Sequence, residues 1–533
     1  MTDQTHYEVI IVGGGLTGVM MALALSYGGY GSAAAPAIAL VDRAPAQPHS
    51  VNTATANRKS PNAASGTAIT PSGDHRTTTI HAAGKTMLKT LGVWSLIGDM
   101  ATPITSIKIA NGAPRQGGLA RRQHPEFSLD WHDADQPMAY VVANDRLLDA
   151  LYIVMATRPI AHITNAEVTG FDGAGDLARL QFANRPDLTC QLVVACDGAK
   201  SKLRDFAGIR SLAEPHRQTA IVANLMLERD HANIAYQRFL PSGPLALMPH
   251  GPFRASLVWT LPKAEANHFL ALDEAGFTTV LLVAFGEALG GLQLDGPRLG
   301  WPLKPTISRK MTGPHLVLAG DASHAIHPLA GQGYNLALGD AAVLADCLAR
   351  ASARGLGAGH RSVETDYLAG RKFEVTAMTA MTSGLNQLMS FQPAIAKVTG
   401  AGMGLVNASP VNHFFRKAQW AVIWHAPIFL KGVYLHNGTD IMVHKLLSLV
   451  AARTITGKTR QIISHQLILA KCVIIKQTPA KKAGIMPVAK VKPDCIIANR
   501  FNAANQDILF SRWRGFLTSA MTLHLGGWRL NAQ

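Results

Sequence analysis

Charge and cysteine are both scarce in this sequence. Charged residues make up 16% of its 533 residues and hydrophobic residues 48%, which indicates a globular protein with a substantial core. The five cysteines (Cys190, Cys196, Cys347, Cys472 and Cys495) include no C-x-x-C pair, so free thiols in a reducing cytosol are favoured over a disulfide framework. The N-terminus lacks the segments of a signal peptide, and no run of about 18 apolar residues predicts a membrane span. We therefore expect a cytoplasmic protein of two or three domains.

The common sequence signatures of hydrolases and nucleoside triphosphatases are also missing. No G-x-S-x-G elbow, H-E-x-x-H helix or Walker-type glycine loop occurs. His324 and His327 lie close together in sequence, but no third ligand accompanies them, so packing or hydrogen bonding is favoured over a metal site. The absence of a nucleophile or metal set is compatible with an organic cofactor that supplies the difficult chemistry itself.

Positive charge is concentrated at the end of the chain. The formal net charge is +16, and from Lys431 onward 15 lysines and arginines stand against three acids. Apolar clusters alternate with these basic residues, which suggests either an amphipathic surface for anionic lipid or a segment with little fixed structure that binds a partner. No nucleic-acid-binding motif accompanies the charge, so nucleic acid is not expected as a partner.

The clearest motif near the N-terminus is a glycine-rich turn between a strand and a helix. The apolar run Tyr7–Val12 predicts a strand and Leu16–Tyr27 a helix. The glycines between and within them, at G-x-G-x-x-G spacing, are Gly13, Gly15 and Gly18. Such glycines allow a tight turn and close approach of the backbone to a pyrophosphate. The next predicted strand ends in Asp42, an acid placed to bind the hydroxyls of an adenosine ribose.

Two later segments each follow a predicted strand. Asp197 and Gly198 could approach a pyrophosphate or nicotinamide, although an ordinary Asp-Gly turn is the alternative interpretation. Gly320 and Asp321 suit the hydroxyls of a ribitol chain. The residues after them turn into a helix, and the N-terminus of that helix would face the N1–C2=O edge of a flavin. The residues of this segment singled out here are His327, Pro328, Gly331, Gly333 and Asn335. Anchors so far apart in sequence suggest one long dinucleotide, FAD.

Taken in order, these three motifs resemble those of the class A flavoprotein aromatic hydroxylases. Finer matches resemble the ubiquinone-biosynthesis hydroxylases of the 2-octaprenyl-6-methoxyphenol hydroxylase type, over roughly residues 5–418. They are Asp74-His75-Arg76, Tyr140–Asn144, Gln218–Ala220, Arg238–Pro244 and His327–Leu336. The chain departs from the family pattern at Asp42, where glutamate is commoner, and at Ala337-Leu338-Gly339, where Gly-Leu-Arg or a similar tripeptide is usual.

The resemblance implies an FAD-dependent monooxygenase with NAD(P)H as cosubstrate. Reduced flavin would add O₂ to form a C4a-hydroperoxide, which hydroxylates the electron-rich ring of a polyprenylphenol. The implied contacts to FAD are Gly13, Gly15, Gly18, Asp42, Arg76, Asn144, Asp197, Gly198, Gly320, Asp321, Gly331, Gly333 and Asn335. No catalytic side chain is assigned, because the flavin carries the chemistry; His327 and Pro328 are expected near the isoalloxazine.

Several alternatives stay open at this point. A related flavoenzyme acting on a soluble aromatic compound has the same motifs, as does a non-catalytic flavin-binding protein that assembles other ubiquinone-biosynthesis proteins. Peripheral association with the inner membrane is a further possibility, since a polyprenyl substrate resides in the bilayer.

The expected fold is α/β. A discontinuous, glutathione-reductase-like Rossmann domain for FAD is combined with a β-sheet substrate domain and C-terminal helices. The predicted segments are 1–212 (FAD domain, with a loop insertion at 43–73), 213–304 (substrate sheet), 305–390 (return to the FAD domain), 391–430 (helices) and 431–533 (basic tail). Within them, a helix is predicted over 79–94, and strands dominate the pattern over 220–303.

Overall fold

The computed structural model describes residues 4–27, 37–45, 76–112, 129–132, 136–213, 217–328 and 331–390. Most of the predicted loop insertion at 43–73, the predicted helices at 391–430 and the basic tail at 431–533 lie outside the described residues. All described residues belong to the first of the two units of the chain, Met1–Thr439.

The described residues form strands and helices in mixed order, with several runs of consecutive strands. The strands are β1 (His6–Val12), β2 (Ile38–Val41), β3 (Thr77–His81), β4 (Thr102–Ile104), β5 (Ser106–Asn111), β6 (Leu129–His132), β7 (Ala139–Ala143), β8 (Ile160–Ile163), β9 (Val168–Asp172), β10 (Ala178–Phe182), β11 (Leu188–Ala195), β12 (Ser211–Ala213), β13 (Gln218–Leu227), β14 (Ile234–Leu240), β15 (Gly243–Pro249), β16 (Arg254–Pro262), β17 (Leu292–Leu294), β18 (Leu299–Pro302), β19 (Thr306–Ser308), β20 (Thr312–Gly313) and β21 (Leu316–Leu318). The helices are α1 (Leu16–Tyr27), α2 (Ala82–Leu91), α3 (Trp94–Ile97), α4 (Asn144–Met155), α5 (Lys202–Phe206), α6 (Lys263–Ala271), α7 (Glu274–Phe285), α8 (Asp321–His324), α9 (Gln332–Ser352) and α10 (Arg361–Ser390). Among these described helices, none is both long and apolar enough to span a membrane.

The first sheet provides the frame for the glycine-rich turn. Its order is β20-β21-β11-β1-β2-β8, and β10 and β9 extend it from β11. Strand β1 pairs in parallel with β11 and β2, and β11 pairs in parallel with β21. Val9, Ile10 and Ile11 are fully buried, as expected of a central parallel strand covered on both faces. The carboxyl ends of β1, β2, β11 and β21 therefore share one edge, where α/β sheets form their ligand crevices.

The helix predicted over 79–94 was wrong at its start, where the structure has a strand of a small antiparallel sheet. Thr77–His81 is a strand paired with Ala139–Ala143, and the helix begins only at Ala82. Three threonines and Ile80 are β-branched, and their restricted χ1 angles favour a strand over a helix. The helix ends at Leu91, where Gly92 adopts φ 87° and closes the last turn.

The second large sheet has the order β17-β13-β16-β15-β14-β5-β6, with β18 also paired to β13. The predicted strands within 220–303 are present, but helices Lys263–Ala271 and Glu274–Phe285 were not predicted there. Phe277 and Phe285 of the second helix are fully buried and pack in one core with Trp259 of the sheet. Strands β5 and β6 come from residues 106–132, so the chain enters this sheet well before the predicted boundary at 213.

Candidate functional site

The glycine-rich turn after β1 is folded so that each glycine has a separate reason to be glycine. Gly13 adopts φ 117°, and a Cβ atom there would overlap the carbonyl oxygen of Cys196. A Cβ atom at Gly18 would overlap the carbonyl oxygen of Gly13. Gly15 is exposed, and no heavy atom of the described residues lies within 4 Å of a Cβ built on it. Gly13 and Gly18 therefore allow the turn to form, while Gly15 leaves space for a ligand.

Asp42 lies beside this turn, immediately after β2. A Cβ atom at Gly14 would overlap its carboxylate, and Asp42 Oδ1 accepts a hydrogen bond from the Ala44 amide at 3.2 Å. Tyr152, on α4, donates its hydroxyl hydrogen bond to the carbonyl oxygen of Gly14 at 2.8 Å. Burial and the charge of Asp42 raise the pKa of Tyr152. Sequence reasoning missed Tyr152, because a tyrosine on a distant helix carries no motif.

The segment after β11 packs against the same turn, but its acid is largely used locally. Asp197 Oδ2 accepts a hydrogen bond from the Leu203 amide at 3.2 Å, and Ser201 caps the same short helix by accepting from the Arg204 amide at 3.0 Å. Gly198 adopts φ 84°. Burial raises the pKa of Asp197, and its Oδ1 atom has no hydrogen-bond partner among the described residues. These contacts fit the Asp-Gly turn that was left open, and contact with a cofactor stays a prediction.

The third segment converges on the other two. Ala195, the last residue of β11, is paired with Val12 on one side and with Leu318 on the other. Gly320 follows at φ 57°, and a Cβ atom there would lie 2.8 Å from the Cγ2 atom of Thr17. Three segments separated by more than a hundred residues in sequence therefore end side by side, with the third touching the helix that the first one opens.

Asp321 and Arg76 are brought together at this edge. Asp321 is exposed to solvent. Desolvation by the surrounding protein nevertheless raises the pKa of its carboxyl, and the charges of His324 and Arg76 oppose that shift. The guanidinium carbon of Arg76 also lies 4.2 Å from the centroid of the Trp301 ring.

Beneath Gly320 lies a buried charge cluster that sequence reasoning did not identify. Asp340 accepts hydrogen bonds from the Gly320 amide at 2.8 Å, from His324 Nε2 at 2.7 Å and from Arg371 Nε at 2.7 Å. Burial acts to raise the pKa of Asp340, but His324 and Arg371 hold it below its usual value. Arg371 also pairs with Glu374 and donates to the Leu336 carbonyl oxygen at 2.9 Å. The only sequence signal for this cluster was an acid inside the small and apolar stretch Leu336–Leu344 of α9.

His324 is therefore a hydrogen-bonding residue in this structure. No group of three potential metal ligands occurs in the part of the chain that the structure describes.

The start of α9 combines an open glycine with buried polar contacts. Gly331 adopts φ 63°, and a Cβ atom there would lie 2.6 Å from Thr79 Oγ1; around Gly333 the described residues leave open space. Asn335 is buried: its Nδ2 donates to the Thr79 carbonyl oxygen at 2.7 Å and its Oδ1 accepts from the His81 amide at 3.1 Å. Its visible role is to join the helix to β3, and its contact with a flavin stays a prediction.

Asn144 is placed similarly at the start of α4. Its Oδ1 atom accepts a hydrogen bond from the Thr78 hydroxyl at 2.5 Å, and its backbone N–H donates to the Arg76 carbonyl oxygen at 3.0 Å. Asn144 therefore joins the start of α4 to β3 and holds the backbone of Arg76.

Several buried polar atoms near α9 find no hydrogen-bond partner among the described residues. They include both ring nitrogens of His327, the Gln332 side-chain oxygen and the Tyr334 hydroxyl. Burial lowers the pKa of His327 to about 4, so its imidazole is neutral at neutral pH. Unsatisfied buried groups are rare in folded proteins, and the polar edges of a bound ligand would satisfy such a cluster. Together with the open space at Gly15 and Gly333, they fit a bound FAD.

Comparison with known proteins agrees with this geometry. The family described as FAD binding domain matches residues 64–374. The ubiquinone hydroxylase UbiL of Rhodospirillum rubrum is 31% identical over 414 residues, which cover 77% of this chain and 88% of that protein. The mitochondrial ubiquinone biosynthesis monooxygenase COQ6 of Mus musculus is 27% identical, covering 72% of this chain and 84% of that protein.

A solved structure supports the fold. The Pseudomonas aeruginosa protein PqsL, in complex with 2-aminobenzoylacetate, superposes with a TM-score of 0.59 at 18% identity, covering 74% of this chain and 99% of that one. The resemblance inferred from the three motifs is thus confirmed: the chain belongs to the FAD binding domain family and, within it, to the FAD-dependent monooxygenases that include the ubiquinone-biosynthesis hydroxylases.

Proposed function

We propose that this protein hydroxylates the aromatic ring of a polyprenylphenol on the route to ubiquinone, using FAD, NAD(P)H and O₂. The observation that supports it most directly is the convergence at Ala195, where the glycine-rich turn, the Asp197 loop and the Gly320-Asp321 loop meet. The ubiquinone-related names of the relatives supply the substrate class. The reaction consumes one phenol, one O₂ and one NAD(P)H with a proton, and yields the hydroxylated phenol, water and NAD(P)⁺.

When bound, FAD supplies electron transfer from the nicotinamide and activation of O₂. The chain's own residues have binding and positioning roles. The backbone at Gly15 accommodates the pyrophosphate, Asp42 accepts hydrogen bonds from the adenosine ribose, and Asp321 accepts them from the ribitol. His327, neutral at neutral pH, adds no charge beside the flavin ring.

The remaining contacts of this proposal follow the family pattern. The full set that would hold FAD is Gly13, Gly15, Gly18, Asp42, Arg76, Asn144, Asp197, Gly198, Gly320, Asp321, Gly331, Gly333 and Asn335.

The second sheet is the proposed place for the substrate ring, because it adjoins the cofactor region. Thr77, on β3, donates a hydrogen bond from its hydroxyl to Ser256 Oγ on the sheet at 3.0 Å, and the Thr79 hydroxyl lies 3.4 Å from the Met248 sulfur. Leu245, Leu247 and other apolar residues of the sheet form its buried core. A ring held against this sheet beside β3 would lie next to the flavin.

Product analysis tests the reaction. Purified protein with FAD, NADH or NADPH, and a short-chain prenylphenol should give a product heavier by one oxygen atom, and ¹⁸O₂ should label that atom. Label that comes from water instead would refute oxygen insertion. A soluble phenol without a prenyl chain is the matched control: equal turnover of both would favour the related flavoenzyme with a soluble substrate.

We also propose that the basic segment from Lys431 onward associates with anionic lipid. Its support is the charge excess together with a polyprenyl substrate. Full-length protein should sediment with vesicles that contain phosphatidylglycerol and dissociate as salt is raised, whereas phosphatidylcholine vesicles should not retain it. Equal sedimentation with both vesicles would refute the lipid proposal.

A non-catalytic assembly role makes the opposite kinetic prediction. In that case FAD would bind, but prenylphenol would not stimulate NADH oxidation, and complexes with other ubiquinone-biosynthesis proteins would form whether or not the flavin can be reduced.

A further inference from the structure

Trp301 lies on an edge strand of the second sheet and contacts a residue of the cofactor region. Strand β18 pairs with β13, and Trp301 stands opposite Ala220 in that pairing. Its side chain is 48% exposed, so the indole is not simply part of the sheet's core. The Arg76 guanidinium carbon lies 4.2 Å from the ring centroid, within the range of a cation–π interaction.

Arg76 is at the same time close to the cofactor edge of the first sheet. Its carbonyl oxygen accepts a hydrogen bond from the backbone N–H of Asn144 at 3.0 Å, and its charge acts on the carboxyl of Asp321. One guanidinium therefore contacts an aromatic ring of the second sheet and also acts electrostatically on a carboxylate of the cofactor site.

We propose that Trp301 is a positioning residue, whose indole holds the Arg76 guanidinium in place to bind the diphosphate group of a dinucleotide. The inference rests on the proposed function, in which Arg76 is a phosphate contact. A guanidinium over an aromatic face keeps its N–H donors directed away from the ring, where they can reach phosphate oxygens. An arginine fixed before binding loses less side-chain freedom when the anion arrives. FAD and NAD(P)H both carry a diphosphate, so each is a separate arm of the test.

Two substitutions at Trp301 separate the aromatic face from simple packing. Trp301→Leu keeps an apolar side chain but removes the ring, and Trp301→Phe keeps a weaker ring. We expect Trp301→Leu to raise the Kd of one dinucleotide by about 2- to 30-fold, with Trp301→Phe in between. FAD affinity is measured by flavin fluorescence on the apoprotein, and NADH affinity by the concentration dependence of flavin reduction in the FAD-loaded protein. Leu299→Ala is the control, since Leu299 is an exposed residue on the same strand.

A double-mutant cycle tests whether Trp301 acts through Arg76. In an Arg76→Gln background, Trp301→Leu should no longer change the affinity. If Trp301→Leu has the same effect with and without Arg76, or no more effect than Leu299→Ala, the positioning role is overturned. If Arg76→Gln itself leaves both affinities unchanged, the phosphate role of Arg76 in the proposed function fails as well. A loss with Arg76→Gln but not with Trp301→Leu would overturn the Trp301 inference alone.

Discussion

The carboxylate of Asp340 accepts a hydrogen bond from the backbone amide of Gly320 at 2.8 Å. Through this bond a residue of α9 holds the turn that leads into Asp321, the first residue of α8. The same carboxylate is paired with Arg371 of the next helix, so the loop, α9 and α10 are joined at one buried acid. The position of the predicted ribitol-binding acid therefore depends on a residue that does not itself reach the cofactor edge.

Removing the charge of Asp340 should destabilise the protein and weaken FAD binding. Asp340→Asn keeps the shape of the side chain but leaves Arg371 without one of its two buried acids, and we expect a loss of about 3–5 kcal/mol in the free energy of unfolding. Urea unfolding of the apoprotein and FAD titration measure the two effects. Asp346→Asn on the same helix is the control, because its pair with Arg350 is at the surface and contributes less than about 1 kcal/mol. A change for Asp340→Asn as small as that of the control would contradict the prediction.

Alanine substitutions at Gly13 and Gly15 should have different effects on the stability of the apoprotein and on its affinity for FAD. Gly13→Ala places a Cβ atom against the Cys196 carbonyl at φ 117°, where strain alone costs about 1–3 kcal/mol, so the apoprotein itself should be destabilised. Gly15→Ala meets no described atom, so its melting temperature as apoprotein should stay close to that of the wild type. FAD affinity should nevertheless fall, because the methyl group occupies the space left for the pyrophosphate. If Gly15→Ala binds FAD normally, the ligand does not approach at this turn.

Local patterns predicted the parts of the site whose geometry is set by neighbouring residues. Helix Leu16–Tyr27 has the predicted bounds, because a buried β-branched strand, a glycine turn and a run of small apolar residues all lie within one short stretch. The order of the Gly13, Asp197 and Gly320 motifs along the chain led to the FAD assignment that the comparisons confirm.

Contacts between distant elements escaped the sequence for a physical reason. The pair between Asp340 and Arg371 joins two helices, and the bond from Tyr152 to Gly14 joins residues 138 positions apart; neither leaves a periodicity or a motif. Helix Glu274–Phe285 was missed because its sequence, EAGFTTVLLVAF, is apolar on nearly all sides and rich in β-branched residues, as a buried strand is. The strand Thr77–His81 was missed because its last residues were predicted as the start of the helix that follows it.

His327 should make the protein sensitive to acid. Burial lowers its folded-state pKa from 6.5 to about 4, so its contribution to stability is complete above pH 6.5 and is lost as the pH falls toward 4. His327→Gln should remove about 3 kcal/mol of the pH dependence in that window. Urea unfolding at pH 7 and at pH 4.5 measures it, with His360→Gln, an exposed histidine, as control. Equal acid sensitivity in the wild type and His327→Gln would show that the ring is protonated in place.

Glu374 should have the opposite sign of pH dependence. Burial and the nearby charge of Asp340 raise its pKa from 4.5 to about 7, although Arg371 opposes the shift. The folded state therefore holds a proton that the unfolded chain releases, so stability falls as the pH rises from 4.5 to 7, and the full penalty is present above 7.

Glu374→Gln cannot ionise, so its free energy of unfolding should rise relative to that of the wild type as the pH rises. Between pH 4.5 and pH 8 the difference between the two proteins should change by about 3 kcal/mol in favour of Glu374→Gln. Taking the difference between the two proteins cancels the histidine contributions, which act in the same pH range but in the other direction. Glu364→Gln is a matched control on the same helix, since Glu364 is only partly buried and accepts a hydrogen bond from the His315 amide at 3.0 Å. If the wild type gains stability relative to Glu374→Gln as the pH rises, then Glu374 is ionised beside Arg371, and the cluster carries two carboxylates for one guanidinium.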